Sequence, residues 1–92
     1  MKKAVKITIK GNVQGVFFRT FIKETASDLG VGGFVRNLDT GDVEIYAEGD
    51  GNNIEMLIEK CKQGPPHAQV RDVQVEERKW SGEYKDFKVL RF

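Results

Sequence analysis

Val5, Ile7 and Ile9 alternate with Lys6, Thr8 and Lys10, and a period of two marks a strand with one face buried. Past a glycine-containing segment, Gly11 to Arg19, the period changes. Phe18, Phe21, Ile22, Ala26 and Leu29 recur at helical spacing, and Gly30 with Gly32-Gly33 predicts where that helix ends. Phe34 to Leu38 and Asp42 to Glu48 predict a hairpin turned by Asp39-Thr40-Gly41. Its second strand sets Val43, Ile45 and Ala47 against Asp42, Glu44, Tyr46 and Glu48. Gly49 to Asn53 predicts a turn leading into a second helix. Ile54, Leu57, Ile58 and Cys61 form that helix's apolar face, Lys60 and Lys62 complement its C-terminal dipole, and Gly64-Pro65-Pro66 stops it. Val70 to about Lys79 carries Val73 and Val75 in alternation and predicts a strand. After a Ser81-Gly82 turn, Tyr84 to Phe92 predicts a short last strand.

The order is β-α-β-β-α-β with one strand appended. Short connections and right-handed crossovers make this an α+β, ferredoxin-like sandwich: two helices on one face of a mainly antiparallel sheet, with a short extra C-terminal strand. Ninety-two residues are enough for one modest core, so residues 1–92 are expected to form a single domain. The scaffold is widely reused, so function must be read from a site.

Charge narrows the partners. Fifteen basic and 14 acidic residues leave a net charge of +1, which predicts no bulk attraction to nucleic acid or an anionic membrane. One cysteine, Cys61, rules out an internal disulfide framework, and the single His67 argues against a multi-histidine metal centre. Met1-Lys2-Lys3 starts like a signal peptide, but no apolar stretch follows it. The expectation is a cytoplasmic monomer acting on a small molecule, with no cofactor and no metal.

The chemistry concentrates in Val13-Gln14-Gly15-Val16-Phe17-Phe18-Arg19. Backbone N–H groups from residues 13 to 19 converge on an anion if the loop curls into a nest, and Gly11 and Gly15 make that curl sterically cheap. A helix start adds unpaired N–H groups, and Arg19 adds a forked cation. On spacing alone, a plain turn with a surface arginine uses the same residues. No Gly-Lys-Ser/Thr follows Gly15, so this is not a Walker-type loop. Asn37, just before a turn, reads by itself as a local hydrogen-bonding residue. Strand alternation sends Arg36 to the face opposite Asn37. Cys61 reads as a core residue and His67 as an exposed loop residue. Asp50, Asn52 and Asn53 read as helix capping rather than a calcium loop.

Taken together, several blocks carry a family resemblance. Val13 to Arg19 resembles the acylphosphatase signature, and Gly33-Phe34-Val35-Arg36-Asn37 is similar to that family's second block. Gly41 to Ile45 with Ala47-Glu48-Gly49, Gln63 to Val70, and Phe87 to Phe92 also match in order. The resemblance implies metal-independent hydrolysis of acyl phosphates without a covalent enzyme intermediate. It implies phosphate binding by Arg19 and by the loop Val13, Gln14, Gly15, Val16, Phe17 and Phe18. It implies that Asn37 positions the attacking water. No side chain is an evident general base, and substrate-assisted proton transfer is the preferred route.

Two other readings use the same sandwich. One is a non-catalytic anion- or metabolite-binding module, against which the pairing of Arg19 with Asn37 argues. The other is a domain of a larger carbamoyl-transfer maturation protein, against which the end at Phe92 without zinc-binding cysteines is expected to count.

Overall fold

Residues 1–15 and 17–91 are described by a computed structural model. Val16 of the loop and Phe92 of the predicted last strand lie outside the described residues. Among the described residues, the predicted alternation of elements is realised as β1 (Lys2–Asn12), α1 (Phe18–Asp28), β2 (Gly32–Asn37), β3 (Val43–Asp50), α2 (Gly51–Gln63), β4 (Gln69–Arg78) and β5 (Phe87–Val89).

The sheet order is β4-β1-β3-β2-β5. β1 pairs antiparallel with β3 and with β4, and β2 pairs antiparallel with β3. β5 joins the free edge of β2 in parallel. β1 and β2 therefore point the same way with β3 between them, and α1 crosses from one to the other. This is the ferredoxin-like arrangement expected from the order of elements.

Register shows which face is core. Val5, Ile7 and Ile9 lie opposite Ala47, Ile45 and Val43, and Val35 lies opposite Ile45 from the other side. These side chains are buried with Phe18, Ile22 and Ala26 of α1 and with Ile54, Leu57, Ile58 and Cys61 of α2. Each large aliphatic or aromatic side chain so buried contributes about 1.5–3 kcal/mol against exposure. The helical and strand periods of the sequence both point at this one layer.

Four boundaries differ from the sequence expectation. Gly11 belongs to β1 rather than to the loop, because β4 pairing continues through Gly11 and Asn12 after a register shift at Lys10/Gly11. A Cβ there would overlap the Gln69 carbonyl oxygen, so the glycine serves strand approach and the loop begins at Val13. Gly32 and Gly33 open β2 instead of ending α1, whose C-cap is Leu29. At Gly33 a Cβ would overlap the Tyr46 carbonyl oxygen. Gly49 and Asp50 finish β3, and Asp50 also caps α2 by accepting a hydrogen bond from the Asn52 N–H at 2.9 Å. Regular pairing in the last strand covers only Phe87–Val89.

The other sheet face is partly covered by the segment between β4 and β5. Tyr84 packs against Phe34 and Tyr46, with ring centroids 6.0 Å and 5.1 Å apart. Beneath it Glu48 is 2% exposed. Its Oε2 accepts hydrogen bonds from the Tyr46 hydroxyl at 2.6 Å, the Ser81 hydroxyl at 2.6 Å and the Ser81 N–H at 2.9 Å. Burial raises the Glu48 pKa, but the hydrogen bonds from Ser81 and Tyr46 outweigh it and hold the carboxyl below its ordinary value. Tyr46 is pushed up to about 12, first by burial and then by the adjacent carboxylate.

Candidate active site

Strand topology brings the loop and Asn37 together. Val43, the first residue of β3, pairs with Ile9 of β1 on one side and with Asn37 of β2 on the other. The C-terminal ends of β1 and β2 thus flank the same residue. The Val13–Phe17 loop leaves one end and Asn37 closes the other. Asn37 shares its face with Val35 and Gly33, the face that carries the helices. Arg36 lies on the opposite face, where its Nε donates to Glu44 at 2.8 Å, as alternation predicts.

The start of α1 leaves its first N–H groups without a side-chain cap. Phe17 occupies the N-cap position in a left-handed conformation, φ 61°, and no side chain caps this end. No acidic residue stands in the first turn. The first intrahelical bond is that from the Phe21 N–H to the Phe17 carbonyl at 3.0 Å. The N–H groups of Phe18, Arg19 and Thr20 precede it and have no intrahelical acceptor. A left-handed bulky residue stores on the order of 1–3 kcal/mol, and such strain gathers at functional sites. Gly15 adds a second positive φ, 76°.

Val13, Gly15, Phe17, Phe18, Arg19 and Asn37 line one cavity of about 310 Å³. Arg19 is half-buried, and its Nη1 donates to the Leu90 carbonyl at 3.3 Å. A guanidinium carries five N–H donors, so this contact leaves most of them for a ligand. Asn37 Oδ1 is buried and has no hydrogen-bond partner among the described residues. An unpartnered buried acceptor costs about 1–3 kcal/mol unless something satisfies it. Of the loop residues expected at the site, Gln14 does not line the cavity. Its side chain turns instead to the β2–β3 turn, donating to the Leu38 and Asp42 carbonyls at 2.9 Å each. Val16 lies outside the described residues.

Thr20, Val89 and Arg91 line the same cavity and were not foreseen from sequence. Thr20 had a local signal, since it follows Arg19 in the first helical turn. Arg91 had none. It reaches the site because β5 runs parallel to β2, and the Leu90 N–H continues that pairing by donating to the Val35 carbonyl at 2.9 Å. The other candidates stay apart. Cys61 is fully buried in the core, and burial pushes its thiol up to about 12. Among the described residues, no group of three or more His, Cys, Asp or Glu side chains is placed to hold a metal ion. Among the described residues, no helix is long and apolar enough to cross a membrane.

Known proteins match this chain along nearly its whole length. The family model described as Acylphosphatase matches residues 5–89. The acylphosphatase of Rubrobacter xylanophilus is 47% identical over 87 residues, covering 95% of this chain and 79% of its own length. That of Methylococcus capsulatus is 44% identical over 89 residues, covering 97% of each. The structure of an acylphosphatase from Coxiella burnetii superposes with a TM-score of 0.92 at 40% identity, covering 97% of this chain and 93% of that one.

Proposed function

This chain belongs to the acylphosphatase family, and from that premise we propose that its reaction runs in the cavity shared by Arg19 and Asn37. The enzyme hydrolyses the carboxyl–phosphate bond of acyl phosphates, giving a carboxylate and inorganic phosphate.

In this reading the phosphoryl oxygens sit at the uncapped start of α1. The N–H groups of the loop and first turn, including those of Val13, Gln14, Gly15, Phe17 and Phe18, supply donors to them, and Arg19 adds charge-assisted bonds. Asn37 holds a water on the far side through its amide oxygen. The water oxygen forms a bond to phosphorus while the phosphorus–oxygen bond to the acyl group breaks, and the carboxylate leaves with the electron pair. A carboxylate is a good leaving group, so little acid catalysis is needed. The remaining work is positioning and neutralising charge on the equatorial oxygens. A phosphate oxygen takes the water's proton, which dispenses with a protein base.

The observation that carries this reading is the convergence of a cation, an uncapped helix start and an unpartnered amide oxygen on one cavity. The near-neutral charge supports a small-molecule substrate and no nucleic-acid partner. We further take residues 1–92 to act as one domain, monomeric and cytoplasmic. Phosphate release from benzoyl phosphate in the presence of a chelator tests the reading. Turnover well above the uncatalysed rate is expected, and a metal requirement would overturn the proposed mechanism.

A further inference from the structure

We propose that Gln14 is a positioning residue, whose side chain sets the distance between the phosphate loop and the water held by Asn37. The proposal rests on the assignment of phosphate to the loop and of water to Asn37. Its chemistry begins with the primary amide, which has two N–H donors on one nitrogen. Gln14 Nε2 places both, one on the Leu38 carbonyl and one on the Asp42 carbonyl, each at 2.9 Å.

Those two carbonyls frame the turn that comes after Asn37. The Leu38 N–H donates to the Asp42 carbonyl at 2.8 Å, and the Gly41 N–H donates to the Leu38 carbonyl at 3.1 Å. Gln14 therefore caps the turn at both of its closing oxygens. Among the described residues it makes the only side-chain hydrogen bonds from the 13–17 loop to the 38–42 turn. The neighbouring tie, Lys10 Nζ to Asp42 Oδ2 at 3.0 Å, starts from strand β1 and not from the loop.

The consequence is geometric. Phosphate would be held by the loop and the helix start, and water by the last residue of β2. The two are joined covalently only through α1, β2 and the intervening chain. In-line attack requires reacting atoms about 3–3.5 Å apart, and a misplacement of about 1 Å costs roughly a hundredfold in rate. A rigid amide clamped between loop and turn fixes that gap where the sheet links β1 and β2 only through β3 and leaves the loop beyond β1 without a tie of its own. A residue doing only this should affect kcat and leave phosphate affinity almost untouched.

The test is a double-mutant cycle of Gln14→Leu with Asn37→Ala, reading kcat, KM and inhibition by inorganic phosphate. Leucine keeps similar bulk and removes both donors. The expected result is a fall in kcat of about tenfold or more for Gln14→Leu, with phosphate inhibition changed by less than about threefold. In the Asn37→Ala background the same substitution should lower kcat by less than about twofold, because there is no longer a positioned water to misplace. Equal losses in both backgrounds, or weakened phosphate inhibition in step with kcat, would overturn the proposal. So would an unchanged kcat in a folded Gln14→Leu protein. If Asn37→Ala itself leaves kcat intact, the assignment of Asn37 fails instead, which separates the two ideas.

A second variant guards against misfolding of the first. Gln14→Glu keeps the length but sets a carboxylate against two carbonyl oxygens. Protonated, it regains one O–H donor. Its kcat relative to the wild-type enzyme should rise as pH falls through the titration of the new carboxyl, and a flat ratio would sink the proposal.

Discussion

Arg19 and Leu90, 71 residues apart in sequence, are joined by a hydrogen bond of 3.3 Å from Nη1 to the main-chain carbonyl. The first turn of α1 is thereby tied to the segment that comes after β5, and the guanidinium is held over the cavity it shares with Asn37 and Arg91. A side chain with many rotamers is pre-ordered before any ligand arrives, which in the proposed reading lowers the entropy cost of gripping a phosphate.

Arg19→Ala should lower kcat/KM by about a thousandfold, the scale of losing a preorganised charge-assisted donor. Arg19→Lys should recover less than about tenfold of this, because an ammonium neither forks around two oxygens nor keeps the Leu90 contact while doing so. Steady-state hydrolysis of benzoyl phosphate, with inhibition by inorganic phosphate, measures both.

Asn37→Ala should separate binding from turnover. Its kcat should fall by about a hundredfold, while inhibition by inorganic phosphate stays within about threefold of the wild-type value. Removing a side chain whose buried amide oxygen has no partner should cost the fold little. A urea midpoint near that of the wild-type chain is therefore expected alongside the lost activity.

Glu48 makes stability depend on acid. Its folded pKa lies below the ordinary value of 4.5. The carboxylate therefore contributes stability that is fully present above that value and is lost as pH falls through the depressed folded value. Glu48→Gln should destabilise the protein by about 2 kcal/mol at neutral pH, where charged hydrogen bonds to Ser81 and Tyr46 are lost. The gap between the two proteins in urea titrations should narrow below pH 4.5.

Cys61 is fully buried, with its thiol pushed up to about 12 by burial. The native protein should resist iodoacetamide at neutral pH, since the thiolate is the reactive form. Labelling should track global unfolding, and its rate should rise in step with the urea transition.

Gly33→Ala should destabilise by about 3 kcal/mol, a large value for one methyl group. The added carbon would overlap the Tyr46 carbonyl oxygen, and φ is 142° there. A lowered thermal midpoint with unchanged kcat below it would match this, because the strain sits in the β2–β3 ladder away from the cavity.

Periods of two and of 3.6 in Val5–Ile9, Phe18–Leu29 and Ile54–Cys61 were enough to read the strands, the helices and their order, because burial on one face is written locally. The linked blocks identified the family and pointed to Arg19 and Asn37 for the same reason: each block is short and contiguous. Glycine was ambiguous. Gly11 and Gly32-Gly33 look like loop and helix-end residues in sequence, yet they stand in strands, because the need for close backbone approach comes from a partner strand far along the chain. The Gln14 side chain and the arrival of Leu90 and Arg91 beside Arg19 were likewise illegible. Both depend on which strand lies next to which and in what register. That is set only when β3 inserts between β1 and β2 and β5 adds to the free edge. Local pattern was thus sufficient for the elements, the family and the two principal candidates. The side-chain ties around those two came from the assembled sheet, since hydrogen bonds between distant segments exist only once the sheet has brought the segments together.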